Sequence, residues 1–177
     1  MRAERTGVGP VVADRDFLSL MARFPSGVVV VTTLGDDGVP FGLTCSSLCS
    51  VSLRPPLLLV CIANGSRTLG VLRDRGHFAV NLLHHNGRGA ARTFAGDVVD
   101  RFKTVAWQRL PAAQMPGLSD AAHTAAECRL HSATIAGDHT VVIGEVLSIQ
   151  DMAAGVPLLY GLRRYASWPG ELADRNT

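Results

Sequence analysis

The run Val28-Val-Val-Val-Thr-Thr33 constrains this chain more than any other stretch. Consecutive β-branched residues are stiff at χ1 and crowd a helix, so they favour an extended strand. Gly35-Asp-Asp-Gly38 then supplies a turn, and Pro40 to Leu48 reads as the returning strand. The same texture recurs. Leu57 to Ile62 is continuously apolar, as expected of a strand covered on both faces, and His77 to Leu83 reads as another strand. Ala126 to Ile135 and Thr140 to Ile149 flank the tight turn Gly137-Asp138, while Pro157 to Tyr160 and Arg163 to Tyr165 are short closing strands. Helical spacing is confined to three places: Asp14 to Phe24 (Asp14 as N-cap, stopped by Pro25), Ser66 to Arg75 (ended by Gly76), and Gly87 to Phe94. Between Val98 and Leu118, Pro111, Pro116 and Gly117 imply an irregular connection with one short strand near Thr104 to Trp107. Many short strands and few helices predict a mostly β fold, an antiparallel barrel that is closed or nearly so.

A length of 177 residues suits one domain, expected over 13–168, with a disordered leader at 1–12 and a tail at 169–177. The net charge of +2 is spread without a basic run and aromatics make up only 6%, which argues against a nucleic-acid groove. No apolar run is long enough to span a membrane and Met1 to Pro10 lacks a signal-peptide core, so neither a membrane partner nor export is expected. Cys45, Cys49, Cys61 and Cys128 form no C-x-x-C pair, and read as small buried hydrophobes in a reducing, cytoplasmic setting. No metal site is expected. The adjacent His84 and His85, whose role the spacing leaves open, should point to opposite sides of a strand end.

The chemistry is concentrated between Gly42 and Thr68. Thr44 and Ser46 should share one strand face, with Cys45 and Ser47 on the other. After the Pro55-Pro56 corner and an apolar strand, Asn64-Gly-Ser-Arg-Thr68 opens a helix with small hydroxyl side chains and free N–H groups, which suits an anion. Simple capping of the helix by Ser66 is the alternative. Arg101 is a candidate phosphate partner or a solvated loop arginine, and His139 a candidate ligand-positioning group or a turn histidine bonded to Asp138.

The order and spacing of these segments resemble the flavin reductase-like family, the short reductase components of two-component monooxygenases. The resemblance runs from about Phe17 to Tyr165. It is carried by Phe24-Pro-Ser-Gly-Val28, Thr44-Cys-Ser-Ser47, Ser52-Leu-Arg-Pro-Pro56, Asn64-Gly-Ser66, Phe78-Ala-Val-Asn-Leu82, Asp100-Arg-Phe102, Gly137-Asp-His139 and Gly144-Glu-Val146. It implies a flavin-binding split β-barrel, usually dimeric, with FAD or FMN held by Gly27, Val28, Thr44, Cys45, Ser46, Ser47, Cys61, Ile62, Ala63, Asn64, Ser66, Arg67, Thr68, Phe94 and Arg101. Ser26, His139 and Tyr160 would flank the nicotinamide of NADH or NADPH. The histidine pair His84-His85 departs from the family pattern.

The resemblance further implies hydride transfer to flavin, with reduced flavin released to a partner flavin-dependent monooxygenase, in aromatic hydroxylation or natural-product biosynthesis. FAD is the expected flavin. The lack of a Gly-x-Gly-x-x-Gly element after any strand fits a nicotinamide that binds over the flavin. The alternative is a flavin- or haem-holding carrier without turnover. A homodimer is expected to use the apolar strands Val28 to Val31 and Val141 to Ile143, with Tyr160, Tyr165 and Trp168.

Overall fold

The computed structural model describes residues 12–169 apart from positions 97 and 99. The expected leader and tail lie outside the described residues except for Val12 and Pro169. In chain order the elements are α1 (Asp14–Ala22), β1 (Ser26–Gly27), β2 (Val29–Leu34), β3 (Pro40–Cys45), β4 (Cys49–Leu53), β5 (Pro56–Ala63), α2 (Arg67–Arg75) and β6 (His77–Leu83). A 3-10 turn (His85–Gly87) leads to α3 (Arg88–Ala95), α4 (Arg101–Thr104), β7 (Gln108–Arg109) and β8 (Pro116–Gly117). The long hairpin β9 (Ala122–Ala136) and β10 (His139–Asp151) follows, then β11 (Leu158–Gly161) and β12 (Arg164–Ser167).

Seven strands form one antiparallel sheet in the order β3-β2-β6-β9-β10-β5-β4, and β1, β11 and β12 make a second small sheet. The valine run is explained by its position. Val29 and Val31 enter a core with Val60, Ile62, Phe78, Val80 and Val142, whereas Val28 and Val30 enter a second core under α3 with Ala91, Phe94 and Leu158. β2 is thus covered on both faces, as a continuous apolar run requires. β5 differs from expectation. Only Val60 and Ile62 are fully buried, while Leu57, Leu59 and Cys61 on its outer face stay half-covered.

The short link between the edge strands β3 and β4 is pinned to β5 at Ser47. Its hydroxyl accepts from the Cys61 N–H at 2.8 Å and lies 3.3 Å from the Cys61 carbonyl, taking over where β4 no longer pairs with β5. The fold is mostly β with short helices, a split barrel in which Ser47 ties the segment between the edge strands β3 and β4 to β5. The edge strand β4 was not anticipated, because its Cys-Ser-Val-Ser-Leu sequence has little apolar contrast. The strand expected near Thr104 to Trp107 is instead the end of α4 and a loop, and the strand pair falls at β7 and β8.

Two buried polar side chains hold the 110–118 connection. Asn81 accepts from the Leu118 N–H at 2.8 Å and donates to the Val30 carbonyl at 3.1 Å. Glu127, fully buried on β9, accepts from the Ala112, Ala113 and Met115 N–H groups and from the Ser148 hydroxyl. A buried carboxylate needs such a set of donors. α1 starts after Ala13 with no side-chain cap, against the expectation for Asp14, and buries none of its residues.

Candidate functional site

Between β5 and α2 the chain turns through Asn64, Gly65 and Ser66. Asn64 is a structural staple. Its N–H donates to the Asp138 carbonyl (2.9 Å), its amide to the Gly137 carbonyl (3.1 Å), and its Oδ1 accepts from the Thr140 hydroxyl (2.8 Å). The turn is thereby tied to the tip of the β9–β10 hairpin. Ser66 occupies the N-cap position of α2 but makes no capping bond with its side chain, and α2 ends on left-handed Gly76 (φ 69°) as anticipated. The hydroxyls of Ser66 and Thr68 have no hydrogen-bond partner among the described residues. Both stand at a helix head whose first N–H groups lack intrahelical acceptors.

Ser66, Arg67 and Thr68 open onto a groove of about 860 Å³. Val39, Pro40, Phe41 and Gly42 form one wall, and the segment from Val98 to Trp107 supplies Arg101, Phe102, Lys103 and Trp107 to the other. Arg101 is neither solvated nor free. Its terminal nitrogens donate to the Gly42 carbonyl at 2.8 Å and the Gly96 carbonyl at 2.5 Å, while Nε is buried without a hydrogen-bond partner among the described residues. Since each terminal nitrogen has a second N–H, the guanidinium retains donors and, among the described residues, meets no carboxylate. Arg67 lies over the Phe41 ring at 5.7 Å, and Lys103 pairs with Asp100 at 2.6 Å. Phe94, Phe102 and Trp107 stack edge to face, with centroids 4.9 Å and 5.8 Å apart. Gly42 must lack a side chain here, since a Cβ would come within 2.9 Å of Phe94 and 3.2 Å of Phe102.

A second surface lies on the outer face of β5 and β10. Cys61 pairs with Val141 and Ala63 with His139, so these four residues share the face opposite the buried Ile62 and Thr140. His139 is exposed, and its Nδ1 meets the Asp138 carboxylate at 2.7 Å. That bond, and the charge behind it when the ring is protonated, hold the Asp138 carboxyl below its ordinary value. The histidine is thus bonded to Asp138 and also stands on the Cys61–Ala63 face.

The strand-end residues divide as alternation predicts. Thr44 turns toward α3 and donates to the Ala91 carbonyl at 2.7 Å, Cys45 turns into the other core, and Ser46 is exposed. With Ser47 bonded to Cys61, only Ser46 of this quartet keeps an uncommitted hydroxyl. Val28, Ile62 and Phe94 are core residues, at 3%, 1% and 2% exposure, so their side chains offer no free surface. Gly27 and Ser26 lie on β1, where Ser26 pairs with Tyr160, away from the groove lining. Tyr160 stacks on Tyr165 at 5.2 Å, and burial together with Tyr160 raises the Tyr165 hydroxyl above its ordinary value despite Arg92 and Arg88 over its ring.

His84 is resolved as structural. Its Nδ1 accepts from the Asn86 N–H at 3.1 Å, so Nε2 carries the proton and donates to the Asp120 carbonyl at 3.0 Å. His85 is exposed beside it. Among the described residues no group of His, Cys, Asp or Glu is arranged to hold a metal. The groove residues Phe41, Gly42, Phe102, Lys103 and Trp107 were absent from the expected site. Phe102 lay within a quoted segment, but nothing local marks Phe41 or Trp107.

The uncommitted Ser66 and Thr68 hydroxyls, the orphaned Arg101 Nε and the adjoining groove fit a phosphate-tailed ligand. Comparison with known proteins agrees. Residues 21–169 match the family model described as flavin reductase like domain. The chain is 49% identical to a flavin reductase (NADH) of Kitasatospora aureofaciens, over 93% of this chain and 87% of that one. It is 45% identical to a flavin reductase (NADPH) of Lentzea aerocolonigenes, over 92% and 95%. Identity to the HsaB reductase subunit of a flavin-dependent monooxygenase of Rhodococcus jostii is 34%, over 92% and 84%. Among solved structures, the Streptomyces globisporus NADH:FAD oxidoreductase SgcE6, in complex with NAD and FAD fragments, superposes with a TM-score of 0.82. It shares 33% identity, over 93% of this chain and all of that one.

Proposed function

The chain belongs to the flavin reductase-like family, and on that premise we propose that it takes hydride from NADH or NADPH, reduces FAD in preference to FMN, and releases reduced flavin to a flavin-dependent monooxygenase. It is an NAD(P)H-dependent flavin reductase. The flavin supplies the redox chemistry by accepting the hydride, so the protein must hold two ligands in register and keep water away. The observation that carries the assignment is the pair of unpartnered hydroxyls at the head of α2, beside Arg101 and its buried, unbonded Nε.

In this reading Ser66, Thr68 and Arg101 hold the flavin phosphate, as charge-assisted donors at a helix head. The outer face of half-covered Cys61 and Val141 and exposed Ala63 takes the flavin ring, with Ser46 as a further hydroxyl. Thr44, Cys45, Ser47 and Asn64 shape that face through the bonds described above, and His139 positions the nicotinamide. Ser26 and Tyr160 belong to the nicotinamide site only if a second copy brings its own β1–β11 sheet to this face.

We further propose a homodimer over 13–168. Its expected surface needs correction, because Val28 to Val31 are buried within the protomer at 3% exposure or less. Val141 and Ile143 remain half-covered on the outer face, and α1 presents Phe17, Leu18, Leu20 and Met21, with Phe24 just past its end, each 46% exposed or more. These apolar surfaces suit a second copy. Among the described residues no helix is long and apolar enough to cross a membrane. Four free thiols suit a reducing cytoplasm as the place of action.

Oxidation of NADH and NADPH, followed by loss of nicotinamide absorbance with FAD or FMN added, tests the assignment. Turnover with FAD above FMN is expected. Flavin binding without turnover would return the chain to the carrier reading.

A further inference from the structure

We propose that Arg88 and Arg92 receive the 2′-phosphate of NADPH and make the chain prefer NADPH to NADH. The inference rests on the reading that Ser26 and Tyr160 flank the nicotinamide. Both guanidinium groups lie over the Tyr165 ring, 5.9 Å and 6.0 Å from its centroid. Tyr165 stands directly opposite Tyr160 across the ladder between β11 and β12, and Tyr160 stands opposite Ser26 across that between β1 and β11. Two strand spacings put Tyr165 about 10 Å from Ser26. A dinucleotide with its nicotinamide beside Ser26 and Tyr160 reaches that far with its adenosine ribose.

Helix stability does not explain the two arginines. Arg88 is the first residue of α3, where a cation opposes the helix dipole, and Arg92 follows one turn later, where like charges repel. Both are exposed, and neither meets a carboxylate among the described residues. Arg88 gives one long N–H bond to the Tyr165 carbonyl at 3.5 Å. Contact with the ring holds both side chains in place but leaves most of their donors unused. Two guanidinium groups converging on one spot match a phosphomonoester dianion, which accepts bidentate bonds. Two ligands of this reaction carry that group: NADPH on its adenosine ribose, and FMN at the end of its ribityl chain. The flavin phosphate is already read at Ser66 and Thr68, on a surface whose lining includes neither arginine nor Tyr165. NADH lacks the group, so the pair discriminates between the two nicotinamides.

The test is steady-state oxidation of NADPH and NADH by the full chain with FAD, alongside calorimetric titration with adenosine 2′,5′-bisphosphate, ADP and FMN. The unsubstituted chain should favour NADPH by about tenfold or more in kcat/KM, and should bind the bisphosphate tighter than ADP. Arg88→Gln combined with Arg92→Gln should lower kcat/KM for NADPH at least about tenfold, through KM, as expected when hydrogen bonds to a charged group are lost. NADH use should change less than about twofold, and the bisphosphate should lose its advantage over ADP. Arg92→Lys alone, which keeps the charge, should retain most NADPH use. Tyr160→Leu should slow both nicotinamides alike. Equal use of the two nicotinamides by the unsubstituted chain, parallel loss of both in the glutamine variant, or weakened FMN binding there with NADPH use intact would overturn the proposal. A Tyr160→Leu variant that uses both nicotinamides as well as the parent would instead overturn the nicotinamide reading beneath it, so the two failures are distinguishable.

Discussion

His139 stands directly opposite Ala63 across the ladder between β10 and β5, at the open end of the face that also carries Cys61 and Val141. The Asp138 carboxylate holds its Nδ1 at 2.7 Å, which leaves Nε2 for a ligand. His139→Ala should lower kcat/KM for the nicotinamide by roughly ten- to a hundredfold, equivalent to about 1.4–2.8 kcal/mol, with flavin Kd nearly unchanged. Flavin titration, nicotinamide kinetics and a melting curve on one preparation decide it. Parallel loss of stability and flavin affinity would reduce the histidine to a hairpin support.

Ser66→Ala combined with Thr68→Val should raise flavin KM and Kd without lowering kcat. Both hydroxyls would meet the phosphate in ground and transition states alike, so the loss is one of uniform binding, about 1 kcal/mol for each hydrogen bond. A collapse of kcat at unchanged flavin affinity would contradict this.

Glu127 makes a different kind of contribution. Its two carboxylate oxygens satisfy three main-chain N–H groups and one hydroxyl in a fully buried setting. Glu127→Ala should cost about 3 kcal/mol or more, since several buried donors lose their acceptor at once. Urea unfolding measures this, and a change below about 1 kcal/mol would show that water replaces the carboxylate.

Gly42→Ala should be destabilising by about 1–3 kcal/mol, because the added Cβ meets the buried Phe94 ring and the Phe102 ring that lines the groove. Flavin affinity should fall with it, as Arg101 takes its position from the Gly42 carbonyl. A variant as stable as the parent by thermal melting would mean that the two rings move aside freely.

Burial, and secondarily the neighbouring charge of Glu127, pushes the Cys128 thiol up to about 12. In the folded protein at pH 8 it should resist alkylation, while the exposed Cys49 reacts. Because the folded thiol holds its proton more tightly than the unfolded one, this contribution to stability is complete below the ordinary thiol value near 9 and is lost as pH rises toward 12. Melting temperature should drop over that window less steeply in Cys128→Ala. Labelling of Cys128 in folded protein would refute the burial argument.

Local sequence determined most of the element list. Six β-branched residues from Val28 to Thr33 cannot settle comfortably in a helix, and Gly76 and Gly137 adopt the left-handed φ that ended α2 and turned the long hairpin. The hydroxyl turn from Ser66 to Thr68 was legible for the same reason, because a helix head and its polar residues are contiguous in the chain. Alternation also placed Thr44 and Cys45 on opposite faces.

Partnership across the sheet was decided only by the tertiary structure. Ser47 had the same hydroxyl as Ser46, yet strand order brought it to Cys61 and left Ser46 exposed. Arg101 was visible as a cation, but its fixing by the carbonyl of Gly42, 59 residues earlier, depends on where α4 crosses β3. The groove joins residues 39–42, 66–68 and 98–107, which no local spacing relates. The physical reason is that chain-local sterics set φ, ψ and turn type, whereas contacts between strands depend on order and register. A register slip of one residue would send every side chain of a strand to its other face.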